Sequence, residues 1–441
     1  MKKVAVIGSG ISGLGAAWTL VRSGVDVRVS LFEAAGYAGG HTHTVDVTLA
    51  SSGGVPVTHG VDTGFLVFNH RTYPQLVELF QTLGVETAAS DMSFSVQANQ
   101  GRLEWCGSDL AAVFAQKRNI ARPAFWAMLR DILRFNREAT ALAEQGTEVQ
   151  LTQSIGDFLA QQRYSKAFRD WYLLPMISSI WSCAASQMLE FPVSTLIRFC
   201  HNHGLLQVND RPQWYTVAGG ARNYVERMLA DLDDVRLNTP VLAVRRHGPG
   251  KGVTVIDASG SEQFDEVIFA CHSDQALEIL GLDARPAESA VLSAIPYQMN
   301  HAVLHTDESL LPKRRKAWAA WNYEHRVRAD DQGAEGVCLH YLLNRLQPLP
   351  FEQSVIVSLN PVRQPDPSTV IRHIDYAHPV FDLAARQAQH ALPALQGQRH
   401  TWFCGAWTGY GFHEDGLKSG VSVAQALVER WQTDAAIPKA A

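Results

Sequence analysis

Apolar residues near the start of the chain follow two spacings, one typical of buried strands and one typical of helices. Residues 4–7 are all apolar, which predicts a short strand buried on both faces. The next apolar residues recur at helical spacing, at Leu14, Ala16, Ala17 and Leu20. A second apolar run at 27–32 predicts another buried strand. Together these patterns predict a β-α-β unit with parallel strands.

A glycine loop joins the first predicted strand to the helix. Residues 8–13 read GSGISG, a G-x-G-x-x-G pattern, and the second strand is followed by Glu33. In this pattern the glycines permit a tight turn, admit a pyrophosphate and allow close helix packing. Free N–H groups at the helix start favour phosphate. An acid at Glu33 can bond both ribose hydroxyls, so the unit predicts a dinucleotide without a 2′-phosphate rather than a ligand-free turn.

Further glycines at both ends of the chain suggest an extended cofactor. Gly39-Gly40 precede His41 and Thr42. The two glycines would allow a second close approach of the backbone to the cofactor, or they form an ordinary β-turn. Near the C-terminus Gly405 follows a predicted strand, and residues 416–420 (GLKSG) open a predicted helix. The N-terminus of that helix would face an anionic or electron-rich group, unless the segment is a simple terminal α/β unit.

The middle of the chain predicts a helical region followed by antiparallel strands. From 105 to 205 the pattern is mainly helical, and 297–375 alternates like antiparallel strands. One apolar stripe recurs at helical spacing, and three arginines lie on another side of the same predicted helix. The stripe comprises Phe125, Met128, Leu129, Ile132, Leu133 and Phe135. This stripe predicts either a core-facing helix, which we favour, or an amphipathic helix on a membrane surface.

Composition and charge exclude several classes of protein. The chain has 441 residues, 46% of them apolar and 18% charged, as in globular proteins with a large core. A net charge of −5 without a basic tract argues against nucleic acid as a partner. The six cysteines form no C-x-x-C pair, which disfavours a zinc site or a disulfide framework. The first strand leaves no room for a signal peptide, so we expect a cytoplasmic protein whose contact with a membrane, if any, is peripheral.

The order and spacing of these motifs resemble the flavin-containing amine oxidase superfamily. The resemblance rests on residues 8–13 with Glu33, Gly39-Gly40, Gly219-Gly220 and the 405–420 segment, and it covers nearly the whole chain. It implies an α/β fold in which a Rossmann-like, GR2-type FAD-binding domain carries an inserted α+β substrate domain. The implied FAD domain comprises 1–72, 206–284 and 396–432. The implied substrate domain comprises 73–205 and 285–395, and 433–441 would be a flexible tail.

The resemblance also implies which residues would contact FAD, bound without a covalent link. These are Gly8, Ser9, Gly10, Ile11, Ser12, Gly13, Glu33, Ala34, Gly39, Gly40, His41, Thr42, Val241, Gly405, Glu414, Gly416, Leu417 and Ser419. Val241 would contact the adenine through its backbone. The sequence departs from the amine oxidases at His41, which stands where an arginine is usual, and it shows no paired aromatics that would cage an amine.

Within the superfamily, the FNHRTYP (68–74) and GYGFHEDGLKSG (409–420) motifs resemble bacterial proteins described as predicted NAD/FAD-binding. Members of that group are similar to the desaturase of furan fatty acid synthesis. This resemblance implies a hydrophobic small-molecule or phospholipid acyl substrate with methyl branches. The candidate catalytic bases are His413, Glu414 and His41, although Glu414 could instead cap a helix and His413 could be a core histidine.

Three reactions remain compatible with this sequence. The first is desaturation of an acyl chain, with hydride passing to the flavin and a terminal acceptor such as oxygen or a quinone. The second is isomerisation of a double bond on the same scaffold, without net oxidation. The third is oxidation of a small soluble amine.

Overall fold

A computed structural model describes residues 1–98, 101–146, 153–207, 211–325 and 337–436. Its strands, numbered in chain order, are β1 (Lys2–Ile7), β2 (Val27–Phe32), β3 (Thr44–Ala50), β4 (Pro56–Asp62), β5 (Phe68–Asn69), β6 (Thr87–Ser90), β7 (Phe94–Ala98), β8 (Leu103–Cys106), β9 (Trp214–Val217), β10 (Asp234–Arg236), β11 (Ala243–Arg246), β12 (Val253–Asp257), β13 (Gly260–Phe264), β14 (Glu266–Phe269), β15 (Tyr297–His305), β16 (Trp321–His325), β17 (Leu339–Leu342), β18 (Ile356–Leu359), β19 (Val370–Pro379) and β20 (Thr401–Phe403).

Helices connect and cover these strands. The α-helices are Ile11–Val21, Pro74–Leu83, Leu110–Val113, Pro123–Gln145, Ile155–Gln161, Lys166–Phe168, Leu174–Trp181, Ala185–Glu190, Val193–Asn202, Arg222–Leu229, Ser273–Leu280, Pro286–Leu292, Leu343–Leu346, Leu383–Ala391 and His413–Ala436. The shorter elements are one π-helical turn at Arg169–Leu173 and 3-10 turns at Lys117–Ala121, Gly281–Asp283, Glu308–Leu310, Arg315–Ala317, Pro367–Thr369, Leu392–Leu395, Gln398–His400 and Ala406–Thr408.

A five-stranded parallel sheet forms the centre of the cofactor half, in the order β10-β2-β1-β14-β20. Its middle strand, β1, is the first predicted strand, and residues 4–7 are buried as the apolar run predicts. Every strand of this sheet lies within 1–72, 206–284 or 396–432. We therefore propose that these three segments form the cofactor domain, as the sequence suggests.

A seven-stranded sheet forms the second half, in the order β19-β15-β18-β17-β16-β7-β8. The four strands β15, β17, β18 and β19 confirm the predicted antiparallel region. The sequence did not predict β7 and β8, and β7 pairs with β16 in parallel. This pairing joins residues more than 200 positions apart, which a local pattern does not reveal.

Helix Pro123–Gln145 settles which way its apolar stripe faces. Phe125, Met128 and Phe135 are fully buried in the cores beside the seven-stranded sheet, which confirms the core interpretation of the stripe. Leu133, in contrast, is 62% exposed. No helix among the described residues combines the length and hydropathy required of a membrane span. The last helix continues to Ala436, so 433–436 is helical where the sequence predicts a flexible tail, and 437–441 lie outside the described residues.

The first and last helices pack against each other at backbone distance. A Cβ placed on Gly420 would lie 2.0 Å from the carbonyl oxygen of Ser12, and one on Gly416 would lie 2.8 Å from Ile11 Cγ2. Similarly, Leu417 Cδ1 would lie 2.8 Å from a Cβ on Gly15. Only glycine permits this approach, and it brings the two ends of the chain together around the glycine loop.

We predict that Gly420→Ala destabilises the protein although alanine is the better helix former. Its methyl group cannot avoid the Ser12 carbonyl oxygen without separating the helices. The loss should reach about 3 kcal/mol, which lowers the melting temperature of a chain of this length by about 3 °C. Gly248→Ala is the control, because a Cβ at Gly248 meets no atom within 4 Å. Equal melting temperatures for the two variants would contradict this account of the helix contact.

Candidate active site

The glycine loop forms one wall of a large cavity. Gly8 has a φ of +107°, and a Cβ there would lie 2.9 Å from the Ala270 carbonyl oxygen, so the turn requires glycine. The helix Ile11–Val21 begins after Gly10 without a side-chain cap. Ile11 and Ser12 line the cavity, so their N–H groups, with the positive end of the helix dipole, are available to an anion there.

Glu33 lies on the same wall, at the end of β2. One carboxylate oxygen accepts hydrogen bonds from the Ser9 N–H at 3.0 Å and the Ser9 hydroxyl at 2.5 Å. The other accepts the Ala35 N–H at 2.8 Å. These bonds fix the carboxylate beside Ala34 and Val241, which also line the cavity. The position suits an acid that contacts a ribose.

The second glycine pair packs directly on the first loop. The Gly39 N–H donates to the Ser9 carbonyl oxygen at 3.0 Å, and a Cβ on Gly40 would lie 3.1 Å from Gly10 Cα. His41 follows and lines the cavity; its Nε2 is buried and has no hydrogen-bond partner within the described part of the chain. An enclosed polar atom without a partner indicates a position for a ligand atom.

The C-terminal motif contributes a second wall. Gly405 and His413 line the cavity. Ser419 lies behind them and accepts the Gly405 N–H at 2.9 Å. Glu414 accepts the N–H groups of Gln75 and Leu76, at 2.9 and 3.0 Å, and so caps helix Pro74–Leu83. Its carboxylate is engaged there, outside the cavity lining, which leaves no basis for proposing it as the catalytic base.

The residues that the sequence singles out thus separate into two groups. Those that line the cavity are Gly8, Ser9, Gly10, Ile11, Ser12, Glu33, Ala34, Gly39, Gly40, His41, Val241, Gly405 and His413. Those that lie behind the lining are Gly13, Thr42, Glu414, Gly416, Leu417 and Ser419. Gly219 and Gly220 lie behind it as well, where the following Ala221 N–H donates to both oxygens of buried Asp62.

His413 is held by a short chain of hydroxyl groups. Its Nε2 lies 2.7 Å from the hydroxyl of Tyr224, which in turn lies 2.5 Å from the hydroxyl of Thr42. The ring stacks on Phe65 at 3.8 Å between centroids. Burial and the nearby His41 lower the pKa of His413 to about 3, so its imidazole is neutral near pH 7.

Two further histidines surround His41 in the cavity wall. His378 lies 5.2 Å and His272 6.3 Å from His41 between ring centroids, and Tyr376 stacks on His41 at 5.0 Å. Burial, with repulsion between the rings, lowers the pKa of His378 to about 3 and that of His41 to about 4. No pattern in the sequence indicates this cluster, because its members come from segments that no local motif connects.

A separate polar group lies within the seven-stranded sheet. Glu324, Cys338 and His340 place their metal-capable atoms within 4.8 Å of one another. Burial opposes the charge on His340, but Cys338 and Glu324 raise its pKa to about 9. The charged ring can donate to Glu324 at 3.2 Å and to Ser358 at 2.7 Å, which leaves no free lone pair for a metal. The expectation that the protein has no metal site stays a prediction.

The cavity has the size and the polar groups that FAD requires. Its volume is about 1270 Å³, above the roughly 300–1,000 Å³ of typical ligand pockets. One end offers the uncapped helix start, Glu33 and the unpartnered His41 nitrogen. A Cβ on Gly10 would meet nothing within 4 Å, so the loop opens onto free space there. Cys404 is fully buried outside the lining, and non-covalent binding stays a prediction.

We predict that Gly10→Ala leaves the apoprotein stable and weakens FAD binding at least tenfold. The backbone at Gly10 has φ −63° and ψ 174°, which alanine adopts without strain, and the added methyl group would occupy cofactor space. Titration of the apoprotein with FAD measures the affinity, and thermal unfolding measures the stability. Gly248→Ala serves as the control. Unchanged affinity in Gly10→Ala would place the cofactor elsewhere.

We also predict acid sensitivity from the buried histidines, of which His203 is the most suitable test. Burial lowers its pKa to about 4, although its bond to the Phe199 carbonyl opposes the shift. The unfolded chain binds a proton below about pH 6.5 whereas the folded one does not until about pH 4. Stability is therefore complete above pH 6.5 and is lost as the pH falls.

Between pH 7.5 and 5.5, protonation of His203 in the unfolded chain should cost the wild type about 1.4 kcal/mol of stability, a loss that His203→Asn does not suffer. The fall in melting temperature between these pH values should therefore be about 1–2 °C smaller in the variant than in the wild type. His390→Asn, which changes an exposed histidine, should retain the wild-type pH dependence. Parallel curves for His203→Asn and the wild type would contradict the prediction.

Known proteins share both the sequence pattern and the fold. The model of the family "Flavin containing amine oxidoreductase" matches residues 11–323. Cyclohexylamine oxidase from Brevibacterium oxydans is 16% identical, with 98% of this chain and 99% of that chain covered and a TM-score of 0.69. A fatty acid isomerase from P. acnes that produces CLA is 14% identical, with 98% of each chain covered and a TM-score of 0.67.

Wild-type putrescine oxidase in complex with putrescine is 16% identical, with 97% of this chain and 99% of that chain covered and a TM-score of 0.64. No curated protein sequence matches this chain. At these identities the solved structures show a common fold, while the family model covers well over half of the sequence. The chain therefore belongs to the flavin-containing amine oxidoreductase family and is an FAD-dependent oxidoreductase.

Proposed function

We propose that this enzyme desaturates methyl-branched unsaturated fatty acyl chains of phospholipids. The observation that carries the proposal is the lining of the cavity beyond the cofactor end. It is apolar and aromatic, formed by Met92, Phe94, Trp105, Tyr172, Met176, Ile180, Phe199, Leu205, Trp214, Trp321, Tyr341 and Phe412. Such a surface gains free energy by enclosing an alkyl chain, at roughly 25 cal/mol per Å² of apolar area buried.

The acidic groups of the cavity favour an acyl chain over an ammonium ion. An ammonium ion taken out of water requires an anionic partner. Within the described lining, Glu33 is bonded by Ser9 and Ala35, and Asp91 pairs with Arg345 at 3.2 Å. Asp375 bonds His301 at 2.8 Å, and Glu278 is exposed. No buried, unpaired carboxylate in this lining offers a site for a substrate cation.

The cavity rim carries a cation, the guanidinium group of Arg211. Arg211 is exposed and lines the cavity next to Pro212 and Gln213. A guanidinium group there suits the phosphate of a lipid whose chain extends inward. The fatty acid isomerase among the structural neighbours supports the proposal because it indicates that this fold can accommodate a fatty acid.

We assign the proton transfer to His413. FAD, when bound, supplies a hydride acceptor at the flavin. His413 can donate its Nε2 proton to Tyr224, whose hydroxyl then donates to Thr42, and this tautomer leaves Nδ1 as a proton acceptor. Nδ1 has no hydrogen-bond partner within the described residues.

A weak base suffices for this step. Loss of hydride from the allylic carbon leaves a cation that is stabilised by the methyl-substituted double bond. The neighbouring C–H is then strongly acidic, so a histidine whose pKa is about 3 can take the proton and leave a conjugated diene. His41, whose Nε2 is enclosed and unpartnered, is better placed to contact the cofactor than to act as the base.

The decisive experiment is an anaerobic reaction of the holoenzyme with phospholipid vesicles that carry methyl-branched monounsaturated chains. We expect the oxidised flavin absorbance to bleach as conjugated diene forms in the lipid, in equal amounts. His413→Asn should slow the bleaching by about 10²–10⁴-fold. His390→Asn should react like the wild type. A chemical reductant added without vesicles should bleach the flavin of each variant as it does that of the wild type.

Other outcomes would identify the competing reactions. Double bonds that move along the chain with no diene formed and no net flavin reduction would identify an isomerase. Bleaching by cyclohexylamine or putrescine, with no response to lipid, would identify an amine oxidase. Flavin that stays oxidised with every branched lipid would exclude the desaturase.

A further inference from the structure

Helix Pro123–Gln145 has a second face that points outward and mixes apolar with cationic residues. Trp126, Arg130, Leu133 and Arg137 follow one another at intervals of four, three and four residues, which places them on one side of the helix. Trp126 is 50% and Leu133 62% exposed. Large apolar side chains in such an exposed row are costly in water unless another surface covers them.

The apolar part of this face continues onto the two preceding short helices. Leu110 is 79% and Ile120 55% exposed. Trp126 donates its indole N–H to the Ile120 carbonyl oxygen at 2.8 Å, and its ring lies 5.4 Å from that of Phe114. The Phe114 N–H donates to the Leu110 carbonyl oxygen at 3.1 Å. These contacts bring the segments of Leu110, Ile120 and Trp126 together, and Leu133 lies two turns further along the same helix face. We call these four exposed residues the apolar patch.

Positive charge surrounds the apolar patch. Lys117, Arg118, Arg122 and Arg130 lie within the same segment, and Arg130 has 77% of its side chain exposed. Burial and, second to it, repulsion from Arg118 lower the pKa of Arg122, so these two cations lie close together. The whole chain carries a net charge of −5, so this cationic segment is opposite in sign to the protein as a whole.

Two acidic residues of this segment, Asp109 and Asp131, accept backbone N–H groups. Asp109 accepts the Ala112 N–H at 2.8 Å and caps the short helix that begins at Leu110. Asp131 is 2% exposed and accepts the Ser165 N–H at 2.9 Å. Asp131 also lies 3.9 Å from Arg130 Nε and from Arg134 Nη1, so it offsets part of the Arg130 charge. Within the described residues Lys117, Arg118 and Arg122 form no ion pair, so they keep the outward surface cationic.

The apolar patch adjoins the rim of the substrate cavity. Gly107 and Ser108 are exposed and also line the cavity, together with Trp105. Leu110 follows two residues later. A surface that covers the patch would therefore lie against an opening that leads to the apolar part of the cavity.

We propose that the apolar patch and its cations dock on an anionic phospholipid bilayer and thereby present the cavity opening to the acyl chains. This inference rests on the proposed function, for which it names the membrane surface and the side of entry. Apolar side chains that enter the interface among arginines and lysines are the combination that binds anionic membranes. A second copy of the chain fits less well, because the same cations would face each other.

The test is co-sedimentation of the FAD-loaded enzyme with vesicles of phosphatidylglycerol or of phosphatidylcholine. We expect binding to the anionic vesicles that weakens as salt increases. The double variant Trp126→Ser/Leu133→Ser should bind at least tenfold more weakly, and Arg130→Gln about fivefold more weakly. Leu282→Ser is the matched control, because Leu282 is 100% exposed on the turn Gly281–Asp283. Wild-type binding in the double variant, or no binding of the wild type, would overturn the proposal.

A second measurement separates docking from catalysis. With acyl substrate dispersed in detergent, the double variant should bleach its flavin at the wild-type rate, because the changed side chains lie outside the cavity lining. Wild-type enzyme that binds anionic vesicles but oxidises no lipid would retain the docking surface and exclude the desaturase. Enzyme that oxidises vesicle lipid equally well after loss of the apolar patch would exclude docking through this surface.

Discussion

The close contact between the first and last helices is the constraint on which the site depends. Gly420 lies against the Ser12 carbonyl oxygen and Gly416 against Ile11, at distances that no side chain would permit. The contact joins the glycine loop, which begins the fold, to the segment of Gly405 and His413, which nearly ends it. Two walls of one cavity therefore come from opposite ends of the chain, and neither wall is a binding site without the other.

Burial then determines the chemistry inside the cavity. His41, His378 and His413 are kept neutral near pH 7, since a charged ring there would lose its hydration without gaining an anion. Neutral rings and aromatic side chains create a surface of low polarity, which suits an uncharged substrate. The same burial stabilises the protein only while the rings stay unprotonated, so the burial that keeps the cavity apolar also makes the fold sensitive to acid.

Three carboxylates behind the cavity lining hold backbone N–H groups in place. Glu414 caps helix Pro74–Leu83, and Asp415 accepts the N–H groups of Tyr410 and Phe412, at 3.1 and 3.0 Å. Burial raises the pKa of Asp62 to about 7 even though bonds from Thr44 and Ala221 oppose the shift. These acids are engaged with N–H and O–H donors, and for this reason we propose a histidine for the proton transfer in the cavity.

Local sequence patterns specify the features that depend on neighbouring residues. The spacing of apolar residues predicts β1 and the helix that follows it, and the spacing of the glycines and Glu33 predicts a dinucleotide loop. Both predictions succeed because a turn and a helix start are local structures. The residues that lie opposite that loop depend on tertiary packing. The cap that Glu414 provides spans 339 residues, and the bond from Tyr224 to His413 spans 189. Such partners are chosen by how helices and sheets pack, and no pattern within one segment records that choice.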